Sequence, residues 1–469
     1  MNHPKVSVVI PTYGGADYLT DAIRSVLAQT WQDFELIIVN DASPDDTDKV
    51  VGQFQDPRIR YIRHETNRGV ANARKTGVMA SSGEIIAHLD QDDFYHPDKL
   101  RIHVEFLDQH PEIGFTYNSR FELYPSSCSV REILRPSPNL TLADFVLSFP
   151  LAPSVWVQRR EWATREEIWE ERTFYRGREI VICGRLFMAG CKFAMIDRVL
   201  NYRRYHRDRR VNNIPRQCEA ERICQQIIFD DPRCPPEVRV LKDAASSNIY
   251  TMWAYVAYLQ DDYETGRHFL REAVRLTPSL LDGTPPPLVN ELIVDSIDDE
   301  GSSLEEVSKK IFENLPQELA GLAGYHPWAV TRGYLMQGVR ALMWNRASDA
   351  DEYFSHITPS VFQVDDPLMQ WLISHLLAYE SEYGKKAVLG IIRRLASRFE
   401  RLGITHAHRT LEGAYFSSRV FDGYRMGAYD RVWSSILRLF VNQPYLLLRN
   451  KGLVSVLLHT IPFFEYFIR

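Results

Sequence analysis

The chain has 469 residues, of which 45% are hydrophobic and 25% are charged. This length predicts two or three domains, and the composition excludes a disordered, collagen-like or low-complexity chain. The net charge of −6 lacks the basic excess of a dedicated nucleic-acid-binding protein. Since the six cysteines show no zinc-ligand spacing, we expect reduced thiols and no structural zinc.

The first hundred residues alternate short apolar runs with helical patterns, which is typical of βαβ units and predicts an α/β fold with a mostly parallel sheet. Four strands are predicted, at Val6–Ile10, Glu35–Asn40, Ile59–Arg63 and Glu84–Leu89. An apolar stripe at helical spacing between the first two strands predicts a helix that covers the sheet. Ser43 and Pro44 are predicted to begin the next helix, as its N-cap and its first residue.

The β pattern weakens and then ends in the middle of the chain. Strand-like segments are expected at Phe115–Leu123, Ser154–Gln158 and Lys192–Ile196, with helices at Leu142–Phe149 and Glu179–Ala189. After about residue 212 only helical spacing of apolar residues continues. The sequence therefore predicts an α/β domain over residues 1–212 and an all-α domain over residues 213–469.

Two segments of the helical half have equal length and share a tyrosine and a terminal proline: Asp261–Pro278 and Gly427–Pro444. They resemble the second helix of tetratricopeptide repeats, and Gly266 and Ala273 fall on consensus positions. Because the spacing of the terminal prolines is not a multiple of the 34-residue repeat, irregular helical hairpins are expected. Two roles stay open for them, a platform for a protein or membrane partner and plain packing beside the first domain.

Neither end of the chain carries a pattern for export or for membrane insertion. The N-terminal apolar run is shorter than that of a signal peptide. The apolar stretch Leu453–Ile468 contains His459, Pro462 and Glu465 and is too short to span a bilayer. We expect a cytoplasmic protein, with peripheral attachment to the inner face of the cytoplasmic membrane as an open alternative.

Four polar motifs follow the four predicted strands, at Pro11–Tyr13, Asn40–Ser43, Asn67–Arg74 and Asp90–Asp93. In an open parallel sheet, ligands bind at the carboxyl ends of the strands. These motifs are therefore expected to converge on one crevice.

Asp90, Asp92 and Asp93 place three carboxylates within four residues. Such a cluster is costly unless a cation neutralises it, and Mg²⁺ or Mn²⁺ prefers oxygen ligands shared with substrate phosphates. The alternative for this motif alone is a solvated acidic turn.

The remaining motifs offer contacts for a nucleotide. Asp41 can accept hydrogen bonds from a base or ribose, and Tyr13 can offer its ring to a base. Arg68 and Arg74 can pair with phosphate oxygens. A helix cap for Asp41, a strand end for Tyr13 and solvated surface for the arginines are the plain alternatives.

In combination these motifs, over about the first 206 residues, resemble family 2 glycosyltransferases of the GT-A fold. The resemblance implies a Rossmann-like sheet with helices on both faces and an inverting transfer of sugar from a nucleotide diphosphate donor. The implied nucleotide-sugar-binding residues are Pro11, Thr12, Tyr13, Asp41, Asn67, Arg68, Arg74, Asp90 and Gln91. The DxD motif of the family falls on Asp90 and Asp92, and the implied metal ligands for Mn²⁺ or Mg²⁺ are Asp92, Asp93 and His206.

The position of the family's catalytic base departs from its pattern. The Glu-Asp pair expected before Arg185-Leu186 is here Arg178-Glu179. The resemblance thus places the base on Glu179, with one more methylene group than an aspartate, and Glu170 and Glu171 are alternative bases. Arginines 203, 204, 207, 209 and 210 surround His206 and could hold a diphosphate, an anionic acceptor or a membrane surface.

The expected function is metal-dependent, inverting transfer of a sugar, a UDP-sugar being favoured, to a hydroxyl of a saccharide or lipid-linked acceptor in cell-surface glycan synthesis. The alternative is a catalytically weak nucleotide-sugar-binding or scaffolding protein that acts through its helical domain. No nucleic-acid partner is expected.

Overall fold

The computed structural model describes residues 3–124, 130–169, 178–204, 213–297 and 303–468. The chain divides into two compact units. The first unit comprises Met1–Pro136 and Leu140–His326, and the second comprises Ser137–Asn139 and Pro327–Arg469. The first unit holds the sheet together with the first helices of the helical half.

The sheet of the first unit has nine strands. They are β1 (Val6–Thr12), β2 (Phe34–Asn40), β3 (Ile59–Arg63), β4 (Ile85–His88), β5 (Phe94–Tyr95), β6 (Phe115–Leu123), β7 (Val130–Leu134), β8 (Trp156–Arg159) and β9 (Phe193–Arg204). Their order is β3-β2-β1-β4-β8-β6-β9-β5, and β7 pairs with β6.

The first four strands pair in parallel, so their carboxyl ends share one edge of the sheet. Beyond β4 the sheet is mixed, since β8 runs antiparallel to β4 and β6 whereas β9 runs parallel to β6. The part of the chain that forms the sheet therefore has the α/β class that the sequence predicts. Its parallel strands β1 to β4 are followed by all four predicted motifs.

Helices cover both faces of the sheet. Those of the α/β part are α1 (Ala16–Leu27), α2 (Thr47–Gly52), α3 (Val70–Ala80), α4 (Lys99–Gln109), α5 (Leu142–Ser148), α6 (Arg160–Ala163) and α7 (Arg178–Met188). Val8 and Ile10 of β1 pack in one core with side chains of α1 and α4, whereas Val9 lies in a second core with Val78 of α3. The alternation along one buried strand thus fills two cores.

The predicted start of α2 is wrong by several residues. The helix begins at Thr47 rather than at Pro44. The Ser43 hydroxyl accepts the Gly14 N–H at 2.7 Å and donates to Asp45, so it holds the loop between two strands and is not the helix cap.

Strand β9 is also longer than predicted, because it continues to Arg204 along β6.

All elements that the structure describes after residue 212 are helical, as predicted. Those that begin before residue 326 are α8 (Ile214–Asp230), α9 (Pro236–Arg239), α10 (Lys242–Leu259), α11 (Tyr263–Leu276), α12 (Pro287–Ser296) and α13 (Leu304–Glu313). The others are α14 (His326–Met343), α15 (Ala347–Ser355), α16 (Asp366–Arg401), α17 (Ala407–Arg425), α18 (Tyr429–Asn442), α19 (Pro444–Arg449) and α20 (Lys451–Ile468). None of the described helices is both long and apolar enough to cross a membrane.

Candidate functional site

The end of β1 is tied to the acidic loop after β4 by Gln91. Thr12 Oγ1 donates to Gln91 Oε1 at 2.7 Å, and the Tyr13 N–H donates to the same oxygen at 2.9 Å. Gln91 Nε2 donates back to the Tyr13 carbonyl at 3.1 Å. A Cβ at Gly15 would lie 2.1 Å from the Gln91 side chain, so the absence of a side chain there makes this contact possible. The Tyr13 side chain is 49% exposed and free to face a ligand.

Asp41, directly after β2, organises the loop that follows β3. Its carboxylate accepts the N–H of Arg68 at 2.9 Å and the N–H of Gly69 at 2.7 Å. His64 Nδ1 lies 2.7 Å from Asp41 Oδ1. Because Gly69 precedes α3 with φ +86°, a conformation that side chains disfavour, glycine suits this tight loop. Asn67 and Arg68 are exposed. Asp41 thus holds these two residues near the ends of β1 and β2.

Arg74, on α3, contacts two of the predicted acidic residues. Its Nη2 donates to Asp90 Oδ1 at 2.7 Å, and its Nη1 lies 3.4 Å from Glu179 Oε1. The Arg74 side chain is only 2% exposed, and those of Asp90 and Glu179 are 29% and 17% exposed. One buried guanidinium therefore connects Asp90 of the DxD motif to the predicted base Glu179, and Arg74 and Glu179 are 105 residues apart in sequence.

Two of the three aspartates, Asp90 and Asp93, have raised pKa values. Burial raises the pKa of Asp90, and the charges of Asp92 and Glu179 add to this effect against that of Arg74. Burial and the charges of Asp92 and Asp90 raise the pKa of Asp93 well above its usual range. This mutual repulsion is the electrostatic cost that a bound divalent cation would relieve.

Ser154 holds the acidic loop from the neighbouring segment. Its Oγ accepts the Asp90 N–H at 3.0 Å and donates to Asp93 Oδ2 at 2.6 Å. The Ser154 carbonyl in turn accepts a hydrogen bond of 2.9 Å from Lys99 Nζ. The sequence predicted a strand from Ser154, which is wrong at its start, because Pro153–Val155 form a 3-10 turn and β8 begins at Trp156. The role of Ser154 was missed, since a serine beside apolar residues carries no motif.

Lys99, on α4, is a second residue that sequence reasoning missed. It is fully buried, and Nζ also donates to Asn118 Oδ1 at 2.9 Å and to Asn201 Oδ1 at 2.7 Å. Burial lowers the pKa of Lys99 well below its usual range, and the charge of Asp93 opposes this shift. In the sequence Lys99 is simply a lysine two residues after Pro97. Nothing in that pattern indicates that its side chain is buried or which groups it binds.

Two arginines at the end of β9 border the acidic loop. Arg204 Nη1 donates to the Asp92 carbonyl at 3.3 Å, and its guanidinium also pairs with Asp21. Arg203 Nη1 lies 3.2 Å from Glu122 Oε1, and the positive charge of Arg203 opposes the rise that burial causes in the pKa of Asp93. Cationic groups thus lie beside the acids where a diphosphate would carry its charge.

The described residues do not by themselves assemble the metal site that the sequence predicts. Within the described ranges, no three His, Cys, Asp or Glu side chains are grouped so as to hold a metal ion. Asp92, with Asp90 or Asp93, nevertheless provides the oxygen ligands that Mg²⁺ and Mn²⁺ prefer, and these ions commonly use one or two carboxylates together with substrate phosphates. The donor set fits such an ion. His206 and the alternative bases Glu170 and Glu171 lie outside the described residues.

The sequence profile of the family described as Glycosyl transferase family 2 matches residues 7–203. The match extends from β1 to the end of β9 and so includes the crevice described above. Residues 7–203 therefore form a family 2 glycosyltransferase domain, as the sequence motifs predict.

Two curated relatives match the N-terminal part of the chain. The succinoglycan biosynthesis protein ExoO of Rhizobium meliloti is 42% identical over 105 residues, which are 22% of this chain and 30% of that protein. The putative teichuronic acid biosynthesis glycosyltransferase TuaG of Bacillus subtilis is 40% identical over 106 residues, which are 22% of this chain and 42% of that protein. The chain thus spans less than half the length of these relatives.

A solved structure, S. aureus TarS 1-349 in complex with UDP-GlcNAc, shares 16% identity and covers 74% of this chain and 89% of its own, with a TM-score of 0.43. At this TM-score the likeness adds nothing to the assignment.

Proposed function

We propose that this chain is an inverting, metal-dependent glycosyltransferase that moves a sugar from a nucleotide diphosphate donor to a hydroxyl of a saccharide or lipid-linked acceptor. The observation that carries the proposal is the bridge from Asp90 through Arg74 to Glu179, which connects the donor motif and a carboxylate able to act as base. A UDP-sugar is the favoured donor. The names of ExoO and TuaG favour a role in cell-surface glycan synthesis.

The donor is proposed to bind along the carboxyl ends of the parallel strands. Thr12, Tyr13, Asp41, Asn67 and Arg68 would surround the nucleotide, together with Pro11, Arg74, Asp90 and Gln91. Asp92, with Asp93 or Asp90 and with His206, would hold Mn²⁺ or Mg²⁺. When bound, this ion would neutralise the diphosphate. Arg203 and Arg204 would add positive charge at the leaving group.

Glu179 is proposed to accept the proton of the acceptor hydroxyl. As the acceptor oxygen bonds to the anomeric carbon, the bond from that carbon to the phosphate oxygen breaks and the nucleotide diphosphate leaves with the electron pair. Arg74, 3.4 Å from Glu179 Oε1, would keep the carboxylate oriented toward the donor. Attack on the face opposite the leaving group inverts the anomeric configuration.

Calorimetric titration tests the donor site. UDP, GDP and dTDP are titrated with Mn²⁺ and again with EDTA into the wild type and Asp92→Ala. One nucleotide should bind in the presence of metal only, and Asp92→Ala should abolish this binding. Asp46→Ala is the matched control, because Asp46 is an exposed acid of the same unit that pairs with Lys49.

Absence of metal-dependent binding for all three nucleotides would contradict the donor site. Binding without transfer to any acceptor would instead favour the alternative of a catalytically weak nucleotide-sugar-binding protein.

A further inference from the structure

Helix α18 carries apolar side chains on two of its faces. Val432, Ile436 and Leu439 are buried. Leu437, Phe440 and Val441, which share another face at i, i+3 and i+4 spacing, are 42%, 66% and 75% exposed. A helix at the surface of a globular protein usually presents polar side chains on its outer face, so this face departs from the rule.

Helix α11 provides an internal reference for this face, because Asp261–Pro278 and Gly427–Pro444 have the same pattern and length. Position by position, Leu270 and Ala273 of α11 correspond to the buried Ile436 and Leu439. The outer positions of Leu437 and Val441 are occupied in α11 by Arg271 and Arg275, whose side chains are 46% and 63% exposed. The counterpart of Phe440 in α11 is Val274, which is half-buried. The two helices thus share a core face, but only α18 has three exposed apolar side chains at these outer positions.

The two helices that follow α18 carry further exposed apolar side chains. They pack against α18 and against each other. Tyr445 of α19 is 42% exposed, and Leu458 of α20 is 61% exposed. We call the side chains of Leu437, Phe440, Val441, Tyr445 and Leu458 the apolar surface. Grouped exposed apolar side chains of this kind mark a binding surface more often than scattered ones do.

The segment that carries the apolar surface has more basic than acidic residues, and Asp430 and Glu465 lie at its two ends. Residues 431–464 contain no Asp or Glu. The same segment contains Arg438, whose side chain is 49% exposed beside Glu412, and the exposed Arg449 and Lys451. A surface that combines exposed apolar groups with an excess of basic residues complements a membrane interface with anionic headgroups.

We propose that the apolar surface binds the face of an anionic lipid bilayer. Phe440, Val441 and Leu458 would enter the boundary between headgroups and acyl chains, while Arg449 and Lys451 would contact lipid phosphates. Since no described helix is suited to cross a membrane, the contact is one with the membrane surface. This surface lies on the second unit, and the proposal does not depend on sugar transfer.

Co-sedimentation of the full chain with lipid vesicles tests the proposal. The vesicles contain phosphatidylcholine alone or phosphatidylcholine with one quarter phosphatidylglycerol. The wild type should bind the anionic vesicles, and salt should weaken this binding. The double variant Phe440→Ser/Val441→Ser should lower the partition coefficient at least about ten-fold, because it removes the exposed apolar groups.

Two control variants separate the contributions. Val240→Ser removes a 78% exposed valine that lies outside the apolar surface, and it should bind as the wild type does. Arg449→Gln/Lys451→Gln should lower the partition coefficient on anionic vesicles about ten-fold and leave that on phosphatidylcholine unchanged.

Three results would overturn the proposal. The first is equal binding of the wild type and Phe440→Ser/Val441→Ser, and the second is binding that does not depend on the anionic lipid. The third is a concentration-dependent dimer in analytical ultracentrifugation, lost in Phe440→Ser/Val441→Ser and accompanied by no vesicle binding. That result would assign the apolar surface to contact between two copies of the chain.

Discussion

The crevice of the first unit and the apolar surface of the second unit are unfavourable in water for opposite reasons. The crevice buries charges, as Arg74 and Asp93 are 1% and 3% exposed. The apolar surface exposes hydrophobic groups, as Phe440 is 66% exposed. Folding alone would favour neither arrangement, since buried charge and exposed apolar area both cost free energy. Binding of a ligand would lower the free energy at both sites, by neutralising the buried charge in the crevice and by covering the exposed apolar groups on the apolar surface.

The comparison predicts that changes in the crevice alter activity or stability strongly, whereas changes on the apolar surface leave the fold intact. The largest expected effect is that of Glu179→Gln. It should lower kcat about 1,000-fold because it removes the proton acceptor, while affinity for the donor nucleotide remains. Transfer is measured with the donor that the titration identifies.

Glu166→Gln is the matched control for Glu179→Gln. Glu166 pairs with Lys75 and its side chain is 71% exposed, so kcat should not change. Unchanged transfer in Glu179→Gln would move the base to another residue, with Glu170 and Glu171 as the next candidates.

The second prediction concerns the free energy of unfolding. Arg74→Ala should destabilise the chain by about 3 kcal/mol, because Asp90 and Glu179 lose the cation between them. Arg68→Ala, which changes an exposed arginine in the loop just before the same helix, should cost less than about 0.5 kcal/mol. Urea unfolding measures both variants, and equal midpoints would show that the buried ion pairs contribute nothing.

The third prediction is a pH dependence of stability. His103 is fully buried between Thr116 and Asn118, and burial together with the charge of Lys99 lowers its pKa well below 6.5. As the pH falls below about 6.5, His103 therefore takes up a proton in the unfolded chain but not in the folded one. The free energy of unfolding should fall by about 1.4 kcal/mol per pH unit because of this residue. Parallel stability curves for the wild type and His103→Gln between pH 7 and 5 would contradict this prediction.

The smallest effect is expected on the apolar surface. Phe440→Ser should change the free energy of unfolding by less than about 0.5 kcal/mol, since the side chain is already 66% exposed. Leu439→Ala, next to it but 1% exposed, should cost about 2–5 kcal/mol. Thermal unfolding of both variants measures the contrast. A large decrease in the free energy of unfolding of Phe440→Ser would show that the Phe440 side chain stabilises the fold.

Regular elements were the most predictable part of the structure. Phe115–Leu123 and Ile59–Arg63 form strands over the predicted residues, because the alternation of side chains that predicts a strand is local along the chain. The start of α2 was predicted wrongly because Ser43 binds Gly14 and Asp45, and that choice among hydrogen-bond partners depends on a neighbouring strand end. The place where the chain divides into two compact units likewise depends on helix packing.

The candidate site was predictable as a set of motifs but not as a network. Asp90 and Glu179 follow from the sequence pattern, whereas their common contact with Arg74 does not. Ser154 binds Asp90 and Asp93, and Lys99 binds the carbonyl of Ser154, but neither residue belongs to a motif. A serine or lysine gains such a role only through the acceptors that the fold brings near it.

The sequence by itself determined the α/β class, the strand ends that carry polar motifs and the resemblance to family 2 glycosyltransferases, because periodicity and motif spacing are local along the chain. Only the tertiary structure decided that Arg74 joins Asp90 to Glu179 and that α18, unlike α11, exposes an apolar face. Both depend on which surfaces meet between segments far apart in sequence, and burial of a residue is a property of the folded chain.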